Sequence, residues 1–327
     1  MITRRELLAT LSAGLLAPAI CWSQPRKVWR IGVLSSGSPA SWDRDLWGIF
    51  VIQLSNLGYV ERSNVMFERR FANSKWEDFA VLAADLVNSN VDVIVTRGTP
   101  AVQAAKLATE RIPIVSASFS DPVGSGFAQS LARPGGNITG LSNLGEELYA
   151  KRLESLASVL PKANRVAWLI NPANSATMSL IPGFMQAAAK TGKRITISKA
   201  NTEEELEGAF TVLARERVGG LIISDDAILN GLAPQIAAIA LRQKLPTAFA
   251  NAPAVEEGGL MSYGTDKADM LRQTAVIVDK IFKGAKPGDL PIVQPTKFEL
   301  AINMKTAKAL GITIPKSVLL RADRVIE

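Results

Sequence analysis

Residues 65–116 read VMFERRFANSKWEDFAVLAADLVNSNVDVIVTRGTPAVQAAKLATERIPIVS, and residues 195–249 read ITISKANTEEELEGAFTVLARERVGGLIISDDAILNGLAPQIAAIALRQKLPTAF. The first segment opens with the alternation Val65, Phe67, Arg69, Phe71, which predicts a strand. An amphipathic helix over 76–87, an apolar strand at 93–95, a helix over 100–108 and a strand beginning at Ile112-Pro113 follow. The second segment repeats that order: Ile195 and Ile197, a helix over 202–216, Leu221-Ile222-Ile223, a helix ending near Gln243, and a strand at 245–249. Strand starts lie 28 residues apart in the first copy (Val65 to Val93) and 26 in the second (Ile195 to Leu221). Each copy is therefore a βαβαβ unit. Helices alternating with short β-rich runs imply parallel sheets covered on both faces, with ligands bound beyond the carboxyl ends of the strands. The fold class expected is α/β, with two Rossmann-like doubly wound lobes facing each other across a cleft.

The 327 residues, 47% of them hydrophobic, are enough for two cores. Histidine is absent and Cys21 is the single cysteine, which excludes a Ser-His triad and the usual His/Cys zinc sites. No G-x-G-x-x-G or G-x-x-x-x-G-K-[ST] occurs, and the carboxylates show no paired metal-ligand spacing, so no cofactor and no metal is expected. The net charge of +7 is scattered rather than blocked, which argues against a nucleic-acid partner.

The beginning of the chain differs from the rest. Arg4-Arg5 precede an apolar stretch from Leu7 to Ile20 and then polar Ser23-Gln24-Pro25, the layout of a cleavable signal peptide over 1–23. The stretch is shorter than the roughly 20 residues a spanning helix needs. Cleavage after Ser23 or after Ala19 places a small residue at the cut, and Thr3-Arg4-Arg5-Glu6-Leu7-Leu8 leaves the twin-arginine and general secretory routes both open. Lipidation of Cys21 would put bulky Ile20 where a small residue belongs and is the less favoured alternative. A periplasmic location is expected.

Val28 to Leu34 forms a first strand, and a helix over 41–57 ends at Gly58. Further helices are expected over 146–160, from Gly264 to about Phe282, and over 300–310, with strands at 165–170 and near Ile292-Val293. Polar residues gather at the strand ends, where a cleft site belongs: Ser36, Gly37, Ser38, Arg97, Gly98, Thr99, Ser120, Asp121, Asn174, Asp225 and Asn251. Thr99-Pro100 reads as an N-cap followed by proline in the first helical turn, leaving amides free for a carboxylate. Asp121 and Asp225, ahead of Asp226 and Glu256, are candidates for a ligand ammonium, Arg97 for ligand contact or a lobe-closing ion pair, and Tyr263 for packing on an apolar ligand group or filling a lobe core. The same residue types also cap helices, so part of this set is expected to do only that.

Several segments carry a resemblance: Tyr59-Val60-Glu61, Leu82-Ala83-Ala84-Asp85-Leu86-Val87, Gly98-Thr99-Pro100-Ala101, Ile112-Pro113-Ile114-Val115, Asp121-Pro122-Val123, Arg133-Pro134-Gly135-Gly136-Asn137, Lys151-Arg152-Leu153-Glu154 and Pro295-Thr296-Lys297-Phe298-Glu299. In order across the mature chain, they resemble the substrate-binding proteins of ABC transporters in the group related to tryptophan and tyrosine uptake. The resemblance implies a type I periplasmic binding protein with three crossovers between its lobes. It also implies a small-molecule solute, an amino acid or related carboxylate, and a membrane permease as partner. The expected division is 24–141 plus about 250–285 for lobe one and 142–249 plus about 286–327 for lobe two, in a monomer. A ligand sensor for a membrane receptor and an exported α/β enzyme are the competing classes; the sequence shows no catalytic motif for the second.

Overall fold

The computed structural model describes residues 27–42, 46–73, 75–143 and 145–327, so the expectations for the leader and Cys21 lie outside the described residues. Lobe one is built on a five-stranded sheet of β1 (Trp29–Ser35), β2 (Val65–Phe71), β3 (Val93–Thr96), β4 (Ile114–Ser120) and β5 (Ile138–Asn143), in the order β2-β1-β3-β4-β5. All of its pairings are parallel. The helices of this half are α1 (Trp47–Asn56), α2 (Phe79–Asn88) and α3 (Thr99–Ala108).

Lobe two contains α4 (Gly145–Val159), β6 (Arg165–Ile170), α5 (Ser175–Ala189), β7 (Arg194–Lys199), α6 (Glu203–Arg215), β8 (Leu221–Ile223), α7 (Ala227–Gly231), α8 (Ala233–Arg242), β9 (Thr247–Phe249), α9 (Ala252–Glu256) and β10 (Met261–Thr265). After α10 (Lys267–Phe282) come β11 (Phe298–Asn303), α11 (Met304–Leu310), α12 (Lys316–Leu319) and β12 (Arg324–Ile326). Its sheet runs β7-β6-β8-β9-β10-β11-β12, so its first five strands repeat the order of lobe one. Both sheets thus change winding direction at the corresponding place, between β1 and β3 and between β6 and β8, where an α/β sheet opens a crevice at its carboxyl edge.

Alternation of side chains along each strand fills the two faces of each sheet. Ile31, Val33, Val93 and Val95 pack under α1 and α10, while Leu34 and Ile94 pack against α2 and α3. In lobe two, Trp168 and Ile170 meet Leu153 and Phe184 on one face, and Leu169, Leu221 and Ile223 meet Phe210 and Ile236 on the other. Trp168 sits 4.6 Å from the Phe184 ring centre and 4.7 Å from that of Tyr149.

The chain crosses between lobes between β5 and α4, between β10 and α10, and ahead of β11. The expected division needs correction at two places. Residues 252–265 belong to lobe two, because β10 pairs with β9 and β11. Helix α10 does belong with lobe one: Met270, Leu271, Ile277, Val278 and Phe282 enter its core, each buried side chain contributing roughly 1.5–3 kcal/mol. Residues 287–293 also join lobe one rather than lobe two, since Leu290 O accepts the Thr139 hydroxyl at 2.8 Å and Val293 bridges to Leu141. The tail departs from expectation as well. Phe298–Asn303 is a strand antiparallel to β10 instead of the start of a helix, and Asn303 caps the helix that follows by accepting from Thr306 N at 3.0 Å.

Candidate functional site

The two crevices face each other across one cavity of about 50 Å³. Lobe one supplies Ser36 from the end of β1, Arg97 to Ala101 from the start of α3, Ser118 to Ser120 from β4, Asn143 from β5, and Trp76 and Phe79. Lobe two supplies Asn174 from the start of α5 and Asp225, Asp226, Ala227 and Asn230 around α7; Lys267 enters from the first turn of α10.

The lobe-one wall is a helix amino end. Gly98, at φ 95°, turns the chain from β3 into α3, a conformation glycine adopts without a steric penalty. Its amide donates to Ser118 O at 2.7 Å, which ties this turn to β4. The first-turn amides of α3 have no intrahelical acceptors and carry the positive end of the helix dipole toward the cavity. Thr99 begins the helix instead of capping it, and its hydroxyl accepts from Ser120 N at 3.1 Å. Asn143 Oδ1 is buried with no hydrogen-bond partner in the protein. Trp76 and Phe79 form an edge-to-face pair with ring centres 5.8 Å apart, giving the cavity an aromatic side.

The lobe-two wall holds two adjacent acids in different surroundings. Asp226 is 2% exposed and caps α7, accepting from Ile228 N at 2.9 Å and Leu229 N at 3.2 Å. It also accepts from the side-chain amides of Asn174 at 2.8 Å and Asn171 at 3.3 Å. Burial pushes its pKa up, against the pull of Asn174 and the other donors. Asp225 Oδ1 accepts from Lys267 Nζ at 2.7 Å and from Asn230 Nδ2 at 3.1 Å. Burial alone would raise the Asp225 carboxyl, but the Lys267 ammonium, and behind it the Arg152 guanidinium, hold it down at about 2. Arg152 is 1% exposed, donates to Tyr263 O at 3.0 Å and lies 4.8 Å from the Tyr149 ring centre.

Of the twelve residues singled out from sequence, Ser36, Arg97, Gly98, Thr99, Ser120, Asn174 and Asp225 line this cavity. Gly37 and Ser38 stand further out, where a wider opening faces Asn201 to Glu204 across the cleft. Asn251 caps α9 through Ala254 N at 3.3 Å, donates to Asn230 Oδ1 at 2.8 Å and borders an adjoining hollow. Two expectations are corrected. Asp121 is exposed outside the cavity with φ 37°, and its carboxylate closes a turn by accepting from Gly124 N at 2.8 Å. The Tyr263 ring stacks on Phe298, 6.3 Å away, within lobe two, because Tyr263 opposes Leu300 of β11 and Phe298, two residues along, stands on the same face of the sheet. Sequence reading missed Trp76, Phe79, Asn143, Asn230 and Lys267. Lys267 follows the helix-capping Asp266, and that was the available signal for a side chain at a helix start facing the cleft.

A family model described as "ABC transporter substrate binding protein" matches residues 32–326. The chain belongs to that family. It is 24% identical over 328 residues to a tyrosine-binding protein of Clostridioides difficile (strain R20291), covering 95% of this substrate-binding protein and 94% of the relative. A solved ABC domain from Streptococcus pneumoniae in complex with L-Trp is 27% identical, with a TM-score of 0.85 over 92% of this chain and 100% of that one. A glucose-galactose binding protein of Geobacillus stearothermophilus, 16% identical with a TM-score of 0.60 over 84% of this chain and 97% of its own, shares the fold alone. The fold is that of type I periplasmic binding proteins, as the sequence resemblance implied. The family is one of solute-binding proteins rather than enzymes. Among the described residues, no helix is long and apolar enough to cross a membrane and no three His, Cys, Asp or Glu side chains converge as a metal site.

Proposed function

We propose that this protein is the exported solute receptor of an ABC importer, a monomer that closes its lobes around a small carboxylated solute bearing an aromatic or apolar group and delivers it to a membrane permease. The observation that carries this reading is the placement of one cavity at the winding reversals of both sheets, with a helix amino end on one wall and the Trp76-Phe79 pair beside it. A carboxylate is received by the α3 amides together with the Ser36 and Ser120 hydroxyls, and the apolar group rests on the aromatic pair. The binding of L-Trp and of tyrosine by the two similar proteins supports the size and chemistry of such a solute. The leader over 1–23 supports a periplasmic location, which N-terminal sequencing of the protein recovered from its host tests directly.

Thermal shift across aromatic and aliphatic amino acids, their deaminated acids and neutral sugars tests the binding reading. A ligand at a hundred times its dissociation constant stabilises the folded state by about 2.7 kcal/mol, and small-angle scattering then shows a smaller radius of gyration. If only sugars raise the melting temperature, the carboxylate reading fails.

A further inference from the structure

Both acids on the lobe-two wall are already served by the protein. Asp226 spends its carboxylate on two backbone amides and the amides of Asn171 and Asn174. Asp225, the nearest carboxylate to which a ligand ammonium would turn, faces an ammonium already: Lys267 Nζ lies 2.7 Å from its Oδ1, with side chains only 16% and 17% exposed. The two partners come from different lobes. Lys267 opens α10, whose apolar side is embedded in lobe one, while Asp225 follows β8 in lobe two. The lobe-two carboxylate thus receives a cation from within the chain, and the buried Arg152 behind it adds a second positive charge.

We propose that Lys267 occupies the position a ligand's ammonium would otherwise fill, so that the cleft selects aromatic carboxylates lacking an α-amino group over the corresponding amino acids. This rests on the carboxylated-solute reading above and narrows the charge of the ligand's head group. An amino acid whose ammonium turns to Asp225 must either sit beside the Lys267 ammonium, a like-charge contact in a site of restricted solvation, or displace it and leave a cation unpaired. A deaminated acid meets neither cost. An ammonium carries three N–H donors, so Lys267 can hold Asp225 and still donate to the ligand's carboxylate alongside the α3 amides.

Calorimetry on the full mature protein with matched probes decides the matter: L-tryptophan against indolepropionate, and L-phenylalanine against phenylpropionate. Charge-assisted contacts differ by roughly tenfold to hundredfold in affinity when one partner is misplaced, and that is the preference expected for the deaminated member of each pair. Lys267→Met releases Asp225 for a ligand ammonium and is expected to reverse the order, whereas Lys267→Arg keeps the cation and the original order; circular dichroism checks that both variants fold. Equal or tighter binding of the amino acids by the unmodified protein overturns the proposal and leaves the carboxylate reading standing. A preference for the acids that persists unchanged in Lys267→Met overturns the role of Lys267. Binding of none of the four probes overturns the carboxylate reading itself, and the proposal with it.

Discussion

At Asp225 the folded carboxyl sits at about 2 against an ordinary 3.8, because Lys267 and Arg152 outweigh the effect of burial. A carboxyl depressed in this way contributes stability that is complete above 3.8 and is lost as the pH falls toward about 2. The shift corresponds to about 2 kcal/mol. Unmodified protein is thus expected to exceed Asp225→Asn in urea stability at pH 7, with the gap narrowing as titration proceeds from pH about 4 to about 2. A gap independent of pH would show that Asp225 is not ionised in the ion pair. Asp226 behaves otherwise, since its oxygens cap the start of α7 and hold two asparagine amides. Removing it in Asp226→Ala strands those amides and the helix start, an expected loss of about 3 kcal/mol in equilibrium unfolding. From sequence, both acids were visible at the end of an apolar strand. What each one faces was not, because the partner of Asp225 lies 42 residues further on and in the other lobe. Asp121 misled for a related reason: a polar residue after a strand marks a turn as readily as a cleft.

Periodicity identified the elements well where one face of a helix or strand is buried. The repeated βαβαβ units, the strand at Arg165–Ile170 and the glycine after α1, at φ 93°, all follow from local pattern. The run Phe298–Asn303 did not, because a short apolar stretch flowing into a helix carries no periodicity of its own, and its pairing with β10 fixes it as a strand. On its other edge, toward β9, β10 depends on a close approach. A Cβ placed on Gly264 would meet Ala250 O at 1.9 Å, a backbone atom that cannot swing aside. Gly264→Ala is therefore expected to cost about 3 kcal/mol or more by separating β10 from the chain after β9, measurable as a lower urea midpoint. A midpoint equal to that of the unmodified protein would mean that the strands part freely here.

Each lobe has its own pair of apolar layers, so damage to one should stay there. Phe210, fully buried on the sheet-facing side of α6, is the test: Phe210→Ala removes about 3–5 kcal/mol of packing, and hydrogen exchange should show protection falling across β6 to β9 while β1 to β4 keep theirs. Uniform loss would show that the lobes unfold as one unit. The two-lobed plan could be read from the repeat, but the lobe boundaries could not, since membership after residue 250 is decided by long-range pairing.

The embedding of α10 in lobe one also sets an order of assembly. When residues 29–143 have left the ribosome, the layer formed by Ile31, Val33, Val93 and Val95 still lacks the cover that residues 267–282 provide. At bacterial synthesis rates, that cover arrives on the order of ten seconds later. The lobe that begins first is therefore not finished until most of the second has been made, and a nascent chain held open in this way presents a greasy half-sheet to chaperones in the meantime.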